Sequence, residues 1–131
     1  MDCEFCQIAA GARAADVVHE SRTTIAFLDR DPAARGHTLL VPRRHVPTLL
    51  HLPDGAAGSF FASLMEVIQR LTETLHPAGL EVGWTQGTAG GRYVSHLHAR
   101  LVPRFRYDLS GIHALGEGVY REHLAEIAAI I

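Results

Sequence analysis

The sequence predicts an α+β domain in which an antiparallel sheet packs against helices, with residues 1–131 forming one domain. Strand-length runs rich in apolar and β-branched residues recur at 17–20, 23–28, 37–42, 80–85 and 94–104, which makes about five strands. Between the third and fourth of them, residues 53–75 carry Phe60, Phe61, Leu64, Val67, Ile68, Leu71 and Leu75 at three- and four-residue spacing. That period belongs to one long amphipathic helix, and its apolar face should cover one side of the sheet. The last stretch, 120–131, puts Leu124, Ile127, Ala128 and Ile131 on one face of a closing helix.

The composition bounds what such a domain does. At 131 residues, with 47% hydrophobic and 20% charged side chains, the chain is long enough to bury a core and reads as a soluble globular protein. Its formal charge of -2 excludes a generic polyanion binder, so neither DNA or RNA nor an acidic membrane is an expected partner. The opening MDCEFCQIAAGARAAD has acidic residues where a secretion signal carries positive charge, and no run approaches the ~20 apolar residues of a membrane span. A cytoplasmic address follows. There the two cysteines, Cys3 and Cys6, stay reduced.

Taken in order, Cys3-x-x-Cys6 has the spacing of half a zinc site, because two thiolates on one tight turn reach a single tetrahedral ion. The same pair suits two small buried side chains under a short first helix. Gly11 to Ala15 is a turn, and Ser21-Arg22 joins the first two strands as a hairpin. DRDPAARGH, residues 29–37, breaks regular structure through its Pro and Gly. Here Asp29 suits a cap on the turn into Asp31-Pro32, and Phe27 and Leu28 suit plain core packing. His76-Pro77 and Gly79 end the long helix. In QGTAGGRYV, residues 86–94, three glycines let backbone amides approach an anion, although many such turns only reverse the chain. Finally, VSHLHARLVPR, residues 94–104, alternates like a strand buried on one side. His96, His98 and Arg100 then share one face, and Leu97, Ala99 and Leu101 the other. Two imidazoles so placed converge on a metal or a phosphate, or stand as solvated surface groups.

The segment VSHLHARLVPR resembles the signature of the histidine triad (HIT) family of nucleotide hydrolases and transferases, His-x-His-x-His followed by apolar residues and often Pro-Arg. Aligned on Pro103-Arg104, the first two histidines fall on His96 and His98, while Arg100 replaces the third. IAFLDRDPAARGHTLLVPRRH, residues 25–45, also resembles the corresponding part of HIT proteins.

The resemblance implies a HIT-like fold and a set of site residues. Phe5, Ile8, Phe27 and Leu28 would line a base pocket and Asp29 would meet the ribose hydroxyls of a purine nucleotide or nucleotide conjugate. His98 would attack the α-phosphorus to form a nucleotidyl-histidine, with Thr85, Arg92 and Arg100 near the phosphate. In relatives that open with Cys-x-x-Cys, a structural zinc is completed by two histidines, which implies Cys3, Cys6, His45 and His96 here. Four protein ligands leave no open position, so such a metal holds structure and does no chemistry. The phosphate loop departs from the family pattern at Thr85, Arg92 and Tyr93 as well as at Arg100. An alternative is therefore a zinc-stabilised nucleotide-binding or interaction module of weak or no catalysis. A homodimer is expected from the resemblance alone, with the long helix and a central strand at the contact.

Overall fold

A computed structural model describes residues 3–87, 94–106 and 124–131. Along the chain lie α1 (Glu4–Ala9), β1 (Val17–Glu20), β2 (Thr24–Leu28), β3 (Thr38–Pro42), a 3-10 turn at Leu49–His51, α2 (Ala56–Leu75), β4 (Gly79–Gly83), β5 (Ala99–Arg104) and α3 (Leu124–Ile130). The five strands form one sheet in the order β1-β2-β3-β5-β4, and every neighbouring pair is antiparallel. The fold is thus α+β with a five-stranded antiparallel sheet, as the spacing of the apolar runs predicts.

The pleat sorts the central strands into two cores. Ile25, Phe27, Leu39 and Val41 share one face, which packs under Phe5 and Ile8 of α1. Ala26, Leu28 and Leu40 share the other and pack against Phe60, Leu64, Val67, Leu71 and Leu75 of α2. Every residue of β2 and β3 is buried, because helices cover both faces, and strands in that position read as unbroken apolar runs. One polar contact crosses the larger core: Thr24 on β2 and Ser63 on α2 share a hydrogen bond of 2.8 Å between hydroxyls. A buried hydroxyl without a partner costs about 1–3 kcal/mol, and this pairing removes that cost on both sides.

The smallest helix is held by a single arginine. Arg43, just past β3, donates from Nη1 to the Ala9 carbonyl at 2.9 Å and from Nε to the Ser21 carbonyl at 2.8 Å. It thereby fastens the end of α1 to the β1–β2 turn, and a six-residue helix needs such tertiary support to persist.

Two boundaries differ from the sequence reading by three residues or more. The long helix starts at Ala56 instead of residue 53, because Gly55 in the left-handed region (φ 83) turns the chain immediately before it. More consequentially, the strand expected over 94–104 begins only at Ala99. Residues 94–98 instead form a bend in which the Leu97 amide donates to the Val46 carbonyl and the His96 amide to the Val94 carbonyl, each at 2.7 Å. Those amides are satisfied by a loop and by a local turn, so no strand ladder is required of them. The face assignment survives: Leu97, Ala99 and Leu101 all join the core under α2. The closing helix is described over Leu124–Ile130, with Leu124 and Ile127 buried. Residues 120–123 of its expected span lie outside the described residues.

Gly36, in the loop before β3, has φ 83, and a Cβ there would run into the Leu75 side chain and approach Pro103 Cγ at 3.3 Å. Gly36→Ala is expected to destabilise the protein by about 1–3 kcal/mol through overpacking and backbone strain, read as a lower urea midpoint. Gly58→Ala, at an open position in α2, should instead be neutral or stabilise by up to about 1 kcal/mol.

Candidate functional site

The face of the sheet that carries α1 also holds a cavity of about 620 Å³. Its apolar side is built by Phe5 and Ile8 from α1 and by Phe27 and Leu39 from the central strands. The Phe5 and Phe27 rings meet at 5.5 Å between centroids, tilted by 58°. Asp29, just past β2, and Thr85, just past β4, stand at its polar rim with His98 and Arg100.

Leu28 belongs to two environments. It borders this cavity, but its side chain is 2% exposed and packs in the core under α2. Consecutive strand residues point to opposite faces, so Leu28 reaches the cavity from the end of β2 while its side chain joins the core under α2. Arg92 and Tyr93 lie outside the described residues.

His98 is oriented from two directions. Its Nδ1 donates to the His96 carbonyl at 2.8 Å, which fixes the proton there and leaves Nε2 with the lone pair. Phe5 packs against the ring edge to face at 5.1 Å between centroids and 71° between planes. The ring is half-buried and lines the cavity. An imidazole held through Nδ1, with Nε2 making no bond among the described residues, can serve as a nucleophile or a general base through that nitrogen.

Asp29 does two things at once. Its Oδ1 accepts from the Asp31 amide at 2.9 Å, which is the turn cap, and its Oδ2 lies 3.5 Å from His37 Nε2. His37 is buried, and its Nδ1 accepts the Ala33 amide at 3.0 Å, so its proton sits on Nε2 and faces the carboxylate. The sequence offered no signal for His37 beyond its place at the end of DRDPAARGH. Arg30 and Asp31, the neighbours of Asp29, line the cavity as well.

Beside this cavity, one turn of α1 meets the bend before β5. Cys3 caps α1, with its Sγ accepting the Cys6 amide at 3.4 Å. His96, fully buried, donates from Nε2 to the Pro42 carbonyl at 2.8 Å, and its bare Nδ1 then lies 3.4 Å from both Cys3 Sγ and Cys6 Sγ. His45 Nδ1 is 3.2 Å from Cys6 Sγ. The four donor atoms lie within 4.8 Å of one another. A tetrahedron with metal–ligand bonds of about 2.0–2.3 Å has edges of about 3.3–3.8 Å, so this set can hold one ion with all four positions filled by protein.

Electrostatics agree with that capacity. Burial pushes the Cys6 thiol up, and the hydrogen bond and charge of Cys3 push the same way. Burial likewise pushes the His96 imidazole down, with smaller help from His45 and His98, against the opposing pull of the Pro42 carbonyl. Burial thus favours the neutral form of His96, which is the form a metal ligand takes, and the Cys6 thiolate would be stabilised by a cation held between these donors.

Comparisons with known proteins agree with this geometry. The HIT domain family model matches residues 11–107. A HIT-like protein of Methanocaldococcus jannaschii is 33% identical over 106 residues, 81% of this chain and 81% of its own. The adenosine 5'-monophosphoramidase of Schizosaccharomyces pombe is 27% identical over 104 residues, 79% of this chain and 75% of its own. Among solved structures, a Zn-bound histidine triad family protein from Mycobacterium smegmatis superposes with a TM-score of 0.77 at 30% identity, covering 98% of this chain and 94% of that one. With the family model spanning the sheet, α2 and the two histidines of the bend before β5, this chain belongs to the HIT family.

Proposed function

We propose that this protein is a nucleotide hydrolase or nucleotidyl transferase acting at the α-phosphate of a purine nucleoside phosphoramidate or dinucleotide. The observation that carries the reading is the His98 Nδ1–His96 carbonyl hydrogen bond, which leaves Nε2 basic on a ring lining the 620 Å³ cavity. In this reading Phe5, Ile8 and Phe27 pack against the base and the Asp29 carboxylate accepts the ribose hydroxyls. His98 Nε2 attacks phosphorus, the bond to the leaving group breaks, and water or a second acceptor resolves the nucleotidyl-histidine. One difficult displacement becomes two easier ones. Arg100, Thr85 and Arg92 are the proposed phosphate contacts. A guanidinium binds non-bridging oxygens through a fixed fork and stays charged at any physiological pH.

Zinc is the metal proposed for Cys3, Cys6, His45 and His96, since two thiolates and two imidazoles in a closed tetrahedral set suit that ion. Its role is to tie α1 and the loop after β3 to the bend that carries His98. Free thiols in this arrangement suit a reducing compartment, which supports a cytoplasmic address. A homodimer using α2 and a central strand is proposed on family grounds, and exposed Met65 on α2 is compatible with it. One observation favours a second reading, a nucleotide-binding module without efficient turnover: an arginine stands where the family's third histidine is expected.

Intact mass after mixing with adenosine 5'-monophosphoramidate or a dinucleotide is expected to show a nucleotide adduct in the wild type and none in His98→Ala, whose turnover should fall at least about 10³-fold. Tight nucleotide binding with neither adduct nor product would establish the binding module instead. For the metal, the purified protein should hold about one zinc per chain, and Cys6→Ser should lose it. Stripping an ion held at 100 times its Kd should lower stability by about 2.7 kcal/mol. A metal-free wild type with an unchanged melting point would refute the zinc assignment.

A further inference from the structure

The wall that α1 contributes to the 620 Å³ cavity is not wholly apolar, because Glu4 lines it together with Phe5 and Ile8. Glu4 is the first residue of α1, and residues four apart on a helix share a face, so its side chain stands about one turn from Ile8 on the same face. The other carboxylates lining the cavity among the described residues, Asp29 and Asp31, come from the loop after β2, and Asp29 Oδ1 is occupied by the Asp31 amide at 2.9 Å. Glu4 is held far more loosely. Arg13 Nη1 lies 3.8 Å from its Oε1, with the two side chains 42% and 43% exposed, and Arg13 Nε donates instead to Gln7 Oε1 at 3.0 Å. An exposed ion pair of that length restrains a carboxylate weakly. Among the described residues the Glu4 carboxylate accepts no hydrogen bond, so its lone pairs are free for a ligand. A carboxylate on a wall that packs against a base adds no stacking, and covering it is costly unless the ligand supplies donors.

We infer that Glu4 determines base specificity, and that the base it selects is guanine. The inference rests on the reading of this cavity as a nucleotide site and adds which nucleotide that site favours. Phe5, Ile8 and Phe27 pack against any base alike, since every base has an apolar face, so discrimination falls to the polar group on the wall. An ionised carboxylate only accepts hydrogen bonds. Among the common bases, guanine alone presents two adjacent donors on its Watson–Crick edge, N1–H and the 2-amino group, and they meet two carboxylate oxygens as the two arms of a guanidinium do. Adenine places its 6-amino donor beside the bare N1, so a carboxylate that takes the first faces the lone pair of the second. Cytosine has the same arrangement with its 4-amino group and N3, and uracil has one N–H between two carbonyls. The group after N1–H on the guanine edge is the O6 acceptor, and the cation paired with Glu4 is Arg13, a donor of the kind that O6 requires.

Calorimetry with three nucleoside monophosphates tests the assignment. Guanosine monophosphate is expected to bind at least about 5-fold tighter than adenosine monophosphate, the lower end of what a bidentate contact to one base edge discriminates. Inosine monophosphate, which keeps N1–H but lacks the 2-amino group, should fall between them. Glu4→Gln sets a donor beside an acceptor, which suits adenine N1 and its 6-amino group, so the ratio should drop below about 2-fold or invert. Glu4→Ala should bring all three ligands within about 2-fold of one another. In turnover, guanosine 5'-monophosphoramidate should exceed the adenosine compound in kcat/KM by the same factor, with the difference residing in KM, because the base contact is the same in the ground and transition states. Equal binding of the guanosine and adenosine nucleotides by the wild type, or a preference that both Glu4 substitutions leave in place, overturns the inference while the nucleotide site stands. Failure of all three nucleotides to bind overturns the nucleotide site itself.

Discussion

Much of this molecule hangs on one buried imidazole. His96 has no exposed surface, and a polar ring taken out of water must have its hydrogen bonds replaced or it costs several kcal/mol. Here Nε2 is spent on the Pro42 carbonyl at the end of β3, Nδ1 faces the thiols of Cys3 and Cys6, and the residue's own carbonyl accepts from His98 Nδ1. One side chain therefore links the sheet, the first helix and the donor cluster, and its backbone sets the tautomer of the neighbour that lines the cavity. Moving it would disturb all of these together.

The two cores explain why the cavity sits where it does. The core under α2 is large, closed and formed from the even-numbered residues of β2 and β3, whereas the odd-numbered ones face a helix of only six residues. So short a cover cannot span the sheet. It leaves the ground from Phe27 across Leu39 to Arg100 open, which makes the cavity an apolar floor with charged and imidazole groups at its edge. Arg43 and the donor cluster hold that short helix at its two ends, through the Ala9 carbonyl and through Cys3 and Cys6. Phe5 lies between them and touches Phe27 and His98.

Charge is distributed along the cavity rim in a definite order. Asp29, tied to the Asp31 amide and facing His37, stands at the end of β2, and Arg100 stands on β5 across Leu39 of β3. The rim thus carries a carboxylate near the apolar wall and a permanent cation on β5.

Periodicity made the element order and the burial of α2 legible, because alternation and three- to four-residue spacing are local properties of the chain. Local pattern also separated Leu97, Ala99 and Leu101 from the His96, His98 and Arg100 side. Resemblance, not spacing, brought Cys3, Cys6, His45 and His96 together, since loop closures decades of residues apart leave no periodic trace. Tertiary structure alone decided the remainder. It started the last strand only at Ala99, because the Leu97 amide finds the Val46 carbonyl instead of a ladder partner. It turned Leu28 away from the wall that Phe27 forms, set His37 against Asp29, and brought Arg100 to the rim of the cavity. The residue types in a site are written along the chain, but which lone pair, which face and which neighbour each presents depends on contacts between segments far apart in sequence.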